Sequence, residues 1–300
     1  MTDYNKKPDE VFTTKGKIIY SFSIAESRNI DDKTVKSFGE EWMKFDRFSQ
    51  EDIDQIGRDY FDILPKEFES SNRVALDMGC GSGRWAYYLR DKVGFIECID
   101  PSEAVFAAAI LLKDANNVRI SKADVDTIPF DDHSFDLVYS LGVLHHIPDT
   151  KAAMDKCVKK VKSGGYFLVY LYYNLDNRGA AYKFLFKTSN LIRNAISKMP
   201  SQIKKGVCDV IAFSVYWPLA RFSAITGKLG FKKLAKKFPL SYYRDKSFWI
   251  MKNDALDRFG TPLEQRFSKK YIAQMMIECG LENIKFSDKE PFWHAIGQKL

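Results

Sequence analysis

The sequence is short of several things, and each shortage excludes something. No apolar run approaches the ~20 residues that cross a bilayer; the longest, Val210 to Ala220, is about half that length. Cysteine is sparse: Cys80, Cys98, Cys157, Cys208 and Cys279 are odd in number, widely spaced and without a CxxC pair. That argues against a disulfide framework and supplies no zinc ligand set, so no metal is expected and a reducing cytoplasm is. The N-terminus, MTDYNKKPDE, is polar and has no apolar segment of a secretory signal. Internal repeats and low-complexity tracts are missing. Acid is scarce in one stretch. From Asn174 to Ile250 there are 15 Lys or Arg and 3 Asp or Glu, a net +12; the whole chain carries +7, so the remainder carries −5. Such a block is either a solvated helical surface or a contact for an anionic partner: phosphate, nucleic acid or acidic lipid.

What is present fits a large globular protein. Of 300 residues, 45% are hydrophobic and 28% charged, enough for a sizeable core and too apolar for a disordered chain. Residues 1–70 read as a lead-in, in which KGKIIYSFSI has the makings of a strand. Helix-compatible spacing follows over Asp31 to Phe45 and Gln50 to Leu64. From Arg73 the pattern changes. RVALDM, GFIECID, NVRISKAD, FDLVYSL and YFLVYLYY read as strands, with helical stretches at Arg84 to Asp91, Ser102 to Asp114 and Asp149 to Lys162. That rhythm predicts an α/β fold with a parallel sheet covered on both faces, over residues 71–173. Residues 174–266 break it. Helix-like segments near Arg178 to Met199, Ile203 to Ile225 and Lys228 to Phe238 suggest a helical cap inserted in the sheet. Residues 267–300 return with a helix, Ser268 to Cys279, and two closing strands, ENIKFSD and PFWHAIGQKL.

The segment that carries chemistry is VALDMGCGSGRW, Val74 to Trp85. An apolar strand ends in Asp77, and Gly79, Gly81 and Gly83 follow at alternate positions before a helix begins. Glycine allows a tight turn and the close approach of a ligand, and a helix N-terminus offers unpaired N–H groups. The next strand also ends in an acid, Asp100, 17 residues beyond Gly83. An acid at that tip is placed to accept the hydroxyls of a ribose.

The spacing GxGxG, with an acid two residues before the first glycine, resembles the class I S-adenosylmethionine-dependent methyltransferases of the UbiE-like group. KADVDTIPFDDHSFDLVYSLGVLHHIPD and SGGYFLVY are similar to that family's later strands. The resemblance implies a Rossmann-like, doubly wound, mostly parallel sheet of seven strands, with N-terminal helices and a cap after the fifth strand. It implies S-adenosylmethionine as cofactor. Asp77 would face the methionine amino group, and Gly79, Cys80, Gly81 and Gly83 would line methionine and ribose. Asp100 would hold the ribose, with Pro101 and Ser102 as the wall behind it. Asp124 and the Val125 backbone would meet the adenine, and Leu141 would offer a carbonyl to the amino group.

His145 and His146 follow the fourth of these strands, at the edge where open α/β sheets bind ligands. Either is a candidate base; the competing and favoured reading is that His145 packs inward and His146 makes a structural hydrogen bond. His294 in FWHAIG is a further candidate; His133 sits in a polar turn. Phe38, Trp42 and Phe45 share one helix face, as a core contact or a lid. In the cap, VIAFSVYWPLARF reads either as a membrane-interface segment, with Tyr216, Trp217 and Arg221 at headgroup level, or as the wall of a substrate tunnel. The composition suits a small-molecule, lipid-linked or phosphate-bearing acceptor, and a cytoplasmic protein with peripheral membrane contact through 203–238. An RNA (tRNA-type) methyltransferase and a non-catalytic cofactor-binding scaffold are the alternatives. The acceptor atom and the oligomeric state are open at this point.

Overall fold

The computed structural model describes residues 2–23, 27–42, 49–176 and 179–300, with backbone alone at 41, 42, 181 and 185. The chain divides into two compact units. One comprises Met1–Asp46, Ile53–Asp176 and Leu263–Leu300; the other comprises Arg47–Asp52 and Asn177–Pro262.

In the first unit the chain runs β1 (Glu10–Thr14), β2 (Lys17–Ser21), α1 (Asp32–Trp42), α2 (Gln50–Tyr60, whose first residues belong to the second unit), β3 (Ser70–Met78), α3 (Arg84–Leu89), β4 (Val93–Asp100), α4 (Ala104–Leu111), β5 (Val118–Lys122), β6 (Phe135–Leu141), α5 (Thr150–Lys159) and β7 (Val161–Tyr170). After the second unit come α11 (Lys269–Glu278), β8 (Leu281–Phe286) and β9 (His294–Lys299). The sheet has nine strands rather than the seven expected, in the order β1-β2-β5-β4-β3-β6-β7-β9-β8. The surplus is the β1–β2 hairpin, closed at Lys15 and Gly16, both with positive φ (51° and 82°). It joins the edge by parallel pairing of Ile19 with Ile120. β1 is polar and mostly exposed, so it carries no apolar alternation to announce it.

The inner strands read as continuous apolar runs because both faces are covered. Ile96, Cys98 and Ile99 of β4 and Leu137, Val138 and Tyr139 of β6 are fully buried. α4 packs on β2, β4 and β5, and buries Ala104, Val105, Ala108 and Ala109, mostly small side chains that let the helix come close. Asp149 caps α5 by accepting from the Ala152 amide at 2.9 Å, and Ser268 caps α11 by accepting from the Tyr271 amide at 3.1 Å. Buried Glu97 pairs bidentately with its cross-strand neighbour Arg119 (2.7 and 2.9 Å). The Arg119 guanidinium lies 3.9 Å over the Tyr4 ring, which ties the N-terminal segment to the sheet. Of the helix face read from Phe38, Trp42 and Phe45, Phe45 and the Trp42 side chain lie outside the described residues.

The second unit is helical among its described residues: α6 (Ala180–Ile196), α7 (Ser201–Ile211), a π-helical turn (Ala212–Tyr216), α8 (Trp217–Lys228), α9 (Lys232–Ala235) and α10 (Phe248–Gly260). Arg178, the expected start of the first cap helix, lies outside the described residues. α10 has no counterpart in the sequence reading. Its four leading residues, FWIM, are contiguous rather than periodic, so no stripe is visible; the signal was Ser247, whose hydroxyl accepts from the Ile250 amide at 3.3 Å. Two residues read at headgroup level are corrected. Tyr216 is buried, and Arg221 donates to the carbonyls of Arg244 and Lys246 (both 3.0 Å).

Candidate functional site

At the carboxyl end of β3 the chain turns through three glycines. Gly79, Gly81 and Gly83 all have positive φ (81°, 52° and 81°), a region costly for residues with a Cβ. A Cβ on Gly79 would sit 2.4 Å from Val143 Cγ1, and one on Gly83 would sit 2.7 Å from Leu112 Cδ1. The turn is held by the neighbouring strand, because the Gly79 and Cys80 amides both donate to the Ile99 carbonyl (2.7 and 2.9 Å).

Asp77 precedes this turn and is fully buried, yet neither of its carboxylate oxygens has a hydrogen-bond partner among the described residues. The Tyr139 phenol, across the β3–β6 ladder, and the Ala86 amide favour its charged form, but neither reaches it with hydrogen-bond geometry. Burial above all, and then the negative charge of Asp100, push its carboxyl well above the usual range. A bare buried carboxylate is costly, and a cation is the partner that would offset the cost.

Asp100 ends β4. Its Oδ2 accepts from the Gly81 amide (2.9 Å), and its Oδ1 from the amide and hydroxyl of Ser102 (2.9 and 2.6 Å). Burial raises its carboxyl despite these donors. The acid therefore couples the glycine turn to the Pro101–Ser102 turn. Each of its oxygens has two lone pairs, so Oδ2 retains one for a ligand hydroxyl. Asp124, beyond β5, divides its work. Oδ1 accepts from the Asp126 and Thr127 amides and the Thr127 hydroxyl (2.9, 2.9 and 2.8 Å), closing a local turn. Oδ2 is buried and has no hydrogen-bond partner among the described residues. Val125 is buried beside it, and Leu141 ends β6.

The histidines differ sharply. His145 is fully buried, its ring stacked 3.9 Å from Tyr172, and neither nitrogen has a hydrogen-bond partner among the described residues. Burial above all, and then the proximity of His146 and Arg266, hold it well below the usual value, so it is neutral. His146 Nδ1 donates to the Leu263 carbonyl at 2.6 Å. His294 is engaged at both nitrogens, by the Pro291 carbonyl and Asp62 Oδ1 (both 2.8 Å), so both are committed to the scaffold. His133 is exposed in its turn. α1 lies over this edge of the sheet: Gly39 abuts Ser102 and Glu103, and the Phe38 ring meets His146 edge-on at 5.0 Å. A separate surface cavity of about 730 Å³ opens among Lys6, Arg28, Asp126, Asp149 and Lys156. Its central acid is already used: Asp126 accepts from the Arg28 and Asn29 amides and from Lys156. Despite some burial, these hold its carboxyl at about 2.

The family described as "Methyltransferase domain" matches residues 76–169, about a third of the chain. Residues 76–169 are a class I methyltransferase domain. Phosphoethanolamine N-methyltransferase 2 of Caenorhabditis elegans is 34% identical over 104 residues, 33% of this chain and 24% of that protein. Ubiquinone biosynthesis O-methyltransferase of Neisseria meningitidis serogroup A is 29% identical over 147 residues, 46% of this chain and 60% of that one. The Mus musculus protein named arginine-hydroxylase NDUFAF5, mitochondrial, is 32% identical over 148 residues, 47% of this chain and 41% of that one. The chain thus spans less than two thirds of each of these relatives.

S-adenosylmethionine is the cofactor of this class, and the methyltransferase domain fits it on its own geometry. The bare Asp77 carboxylate suits an ammonium, the Cβ-free turn suits close backbone approach, and the open Asp124 Oδ2 suits an amino group. Three contributors escaped the sequence reading: Tyr139 beside Asp77, Val143 against Gly79, and Asp62 beneath His294. The first follows from parallel register, which places Tyr139 opposite Asp77; the other two are contacts between segments far apart in the chain.

Proposed function

We propose that the protein transfers a methyl group from S-adenosylmethionine to a small-molecule acceptor that is partly apolar and anionic, a lipid-linked or phosphate-bearing metabolite. The observation that carries the donor half is the bare, buried carboxylate of Asp77 beside the glycine turn that Asp100 braces. When bound, the cofactor supplies a methyl group already activated on a sulfonium, so the protein's task is alignment and, where needed, deprotonation of the acceptor. Asp77 would hold the ammonium, Asp100 would orient the sugar, and Asp124 Oδ2 would accept from the adenine amino group.

Of the two histidines, His146 is the better base. The Leu263 carbonyl fixes its proton on Nδ1 in the neutral ring, which leaves the lone pair on Nε2. His145 is a packing residue. An amine acceptor would need neither.

The acceptor half rests on the second unit, basic and rich in aromatics, and on two relatives whose names specify phosphoethanolamine and ubiquinone biosynthesis. A cytoplasmic location with peripheral membrane contact through 203–238 suits such an acceptor. RNA is the second reading, carried by the lysines alone. The test is calorimetric titration with S-adenosylhomocysteine, followed by transfer of labelled methyl to fractionated lipid, small-molecule and tRNA pools. Absence of cofactor binding would overturn the reading. Label in tRNA that declines steeply with salt would replace the acceptor half.

A further inference from the structure

A helix on the surface of a soluble protein turns its large apolar residues inward. The helical run Ser201 to Lys228 does the reverse. Its buried residues are Lys204, Cys208, Ala212, Tyr216, Ala220, Ser223 and Thr226, mostly small or polar. Its large apolar residues point out: Val210, Phe213 (65% exposed), Trp217, Ile225 and, just beyond, Leu229 (70%). The π-helical turn inserts an extra residue between α7 and α8. Across it the Phe213 and Trp217 rings stack on the outside, 6.2 Å apart and 8° from parallel. An apolar face of this kind marks an interaction surface.

Its charge narrows the partner. Residues 201–238 hold eight Lys or Arg, of which Lys204 is buried and Arg221 is bound to two carbonyls, and one acid, Asp209, which is paired with Lys252 at 3.0 Å. A second copy would bring like charge against like charge. A nucleic acid would meet the lysines but leave Val210, Ile225 and Leu229 without a use, since aliphatic side chains give bases nothing to stack on. An anionic bilayer satisfies both sets, with aliphatics and Trp217 in the headgroup–acyl boundary and lysines at the phosphates. Among the described residues no helix is long and apolar enough to cross a membrane, so the element lies on the surface.

We propose that the outward face of residues 201–238 docks on an anionic membrane surface. This rests on the location proposed above and deepens it by naming the face and the lipid charge. The test is flotation of the full chain with phosphatidylcholine vesicles, with and without phosphatidylglycerol, alongside S-adenosylhomocysteine titration. Binding is expected only to the anionic vesicles. It should drop about tenfold or more in Phe213→Ser/Ile225→Ser and in Lys232→Glu/Lys233→Glu, with melting temperature and cofactor affinity unchanged. The proposal is overturned if the wild type ignores anionic vesicles while binding cofactor, or if the serine variant floats as well as wild type. It is equally overturned if these residues instead support a dimer or tRNA binding. Vesicle binding without cofactor binding would sustain this proposal and sink the one above.

Discussion

Asp62 and His294, 232 residues apart in the chain, share a 2.8 Å hydrogen bond between Oδ1 and Nε2. The same carboxylate accepts from the Ser287 hydroxyl at 2.9 Å. It thereby ties the segment after α2 to the start of β9, where His294 pairs with Tyr170. Tyr60, two residues earlier, meets the rings of Trp85 and Tyr170 at 4.7 and 5.0 Å. A polar tie thus fixes an aromatic wall beside the helix that opens after the glycine turn.

Asp62→Ala should therefore destabilise the fold by about 2–3 kcal/mol, because it strands buried hydrogen-bonding groups. The denaturant midpoint measures it. The pH dependence has a definite sign. Burial acts to raise the Asp62 carboxyl, but the hydrogen bonds from His294 and Ser287, with the nearby charges, outweigh it and hold the group below the usual carboxylate value. A depressed acid contributes stability in full above its unfolded value near ~3.9, and loses it as pH falls through the folded value. The gap between wild type and Asp62→Ala should close in that acid range. A gap independent of pH would refute the charged tie.

His145 acts in a different window. Its folded value is depressed, so below its ordinary value of ~6.5 the unfolded chain takes a proton that the native ring refuses. Stability should fall as pH drops below that point, by at most ~1.4 kcal/mol per unit from this group. His145→Phe keeps a ring to stack on Tyr172 and should have a shallower decline between pH 6.5 and 5. An unaltered slope would clear His145 of the role.

The parts of the site that were legible in the sequence are those set by local backbone rules. An apolar β-strand with Asp77 one residue from its end, glycines at φ-demanding positions and an acid at the next strand tip each leave a mark within a few residues. Contacts across the fold leave none. Nothing near Asp62 announces His294, and nothing near Gly79 announces Val143. Of the two strands beyond the expected seven, β2 falls in KGKIIYSFSI, which reads as a strand but carries no sign of joining the sheet, and β1 is mostly exposed and carries no apolar alternation. In the second unit the helical period was visible, but which face is buried was not. The inward face there holds Cys208, Ala212 and Ser223, so hydrophobicity points the wrong way.

Gly79→Ala places a Cβ 2.4 Å from Val143 Cγ1 at a φ of 81°. The left-handed strain alone costs about 1–2 kcal/mol, and the clash adds to it. The melting temperature and the affinity for S-adenosylhomocysteine should both drop. Adding Val143→Ala removes the two nearest carbons, at 2.4 and 2.6 Å, but keeps the Cβ at 2.9 Å, so it should recover part of the loss and leave the φ strain with a residual contact. Full recovery would mean that the backbone there tolerates a side chain, and no recovery would mean that Val143 is not the obstacle.

Asp77 and Asp100 should fail in different ways when replaced. Asp100 carries three internal hydrogen bonds, so Asp100→Ala should loosen the turn and weaken S-adenosylhomocysteine binding together, by roughly 10- to 100-fold in affinity. Ser102→Ala removes the hydroxyl donor to Oδ1 while keeping the amide donor and the acid, and should cost only a few-fold. Asp77 carries none of these bonds. Its raised carboxyl means that ionisation at neutral pH opposes folding, the inverse of Asp62. Asp77→Asn keeps the shape and removes the charge. It should raise the melting temperature of the ligand-free protein and at the same time weaken cofactor binding by about tenfold or more, as a charged hydrogen bond is worth. Calorimetry and thermal melts on one preparation read both. If stability and affinity instead fall together, Asp77 is part of the scaffold, and its bare oxygens are not held in reserve for an ammonium.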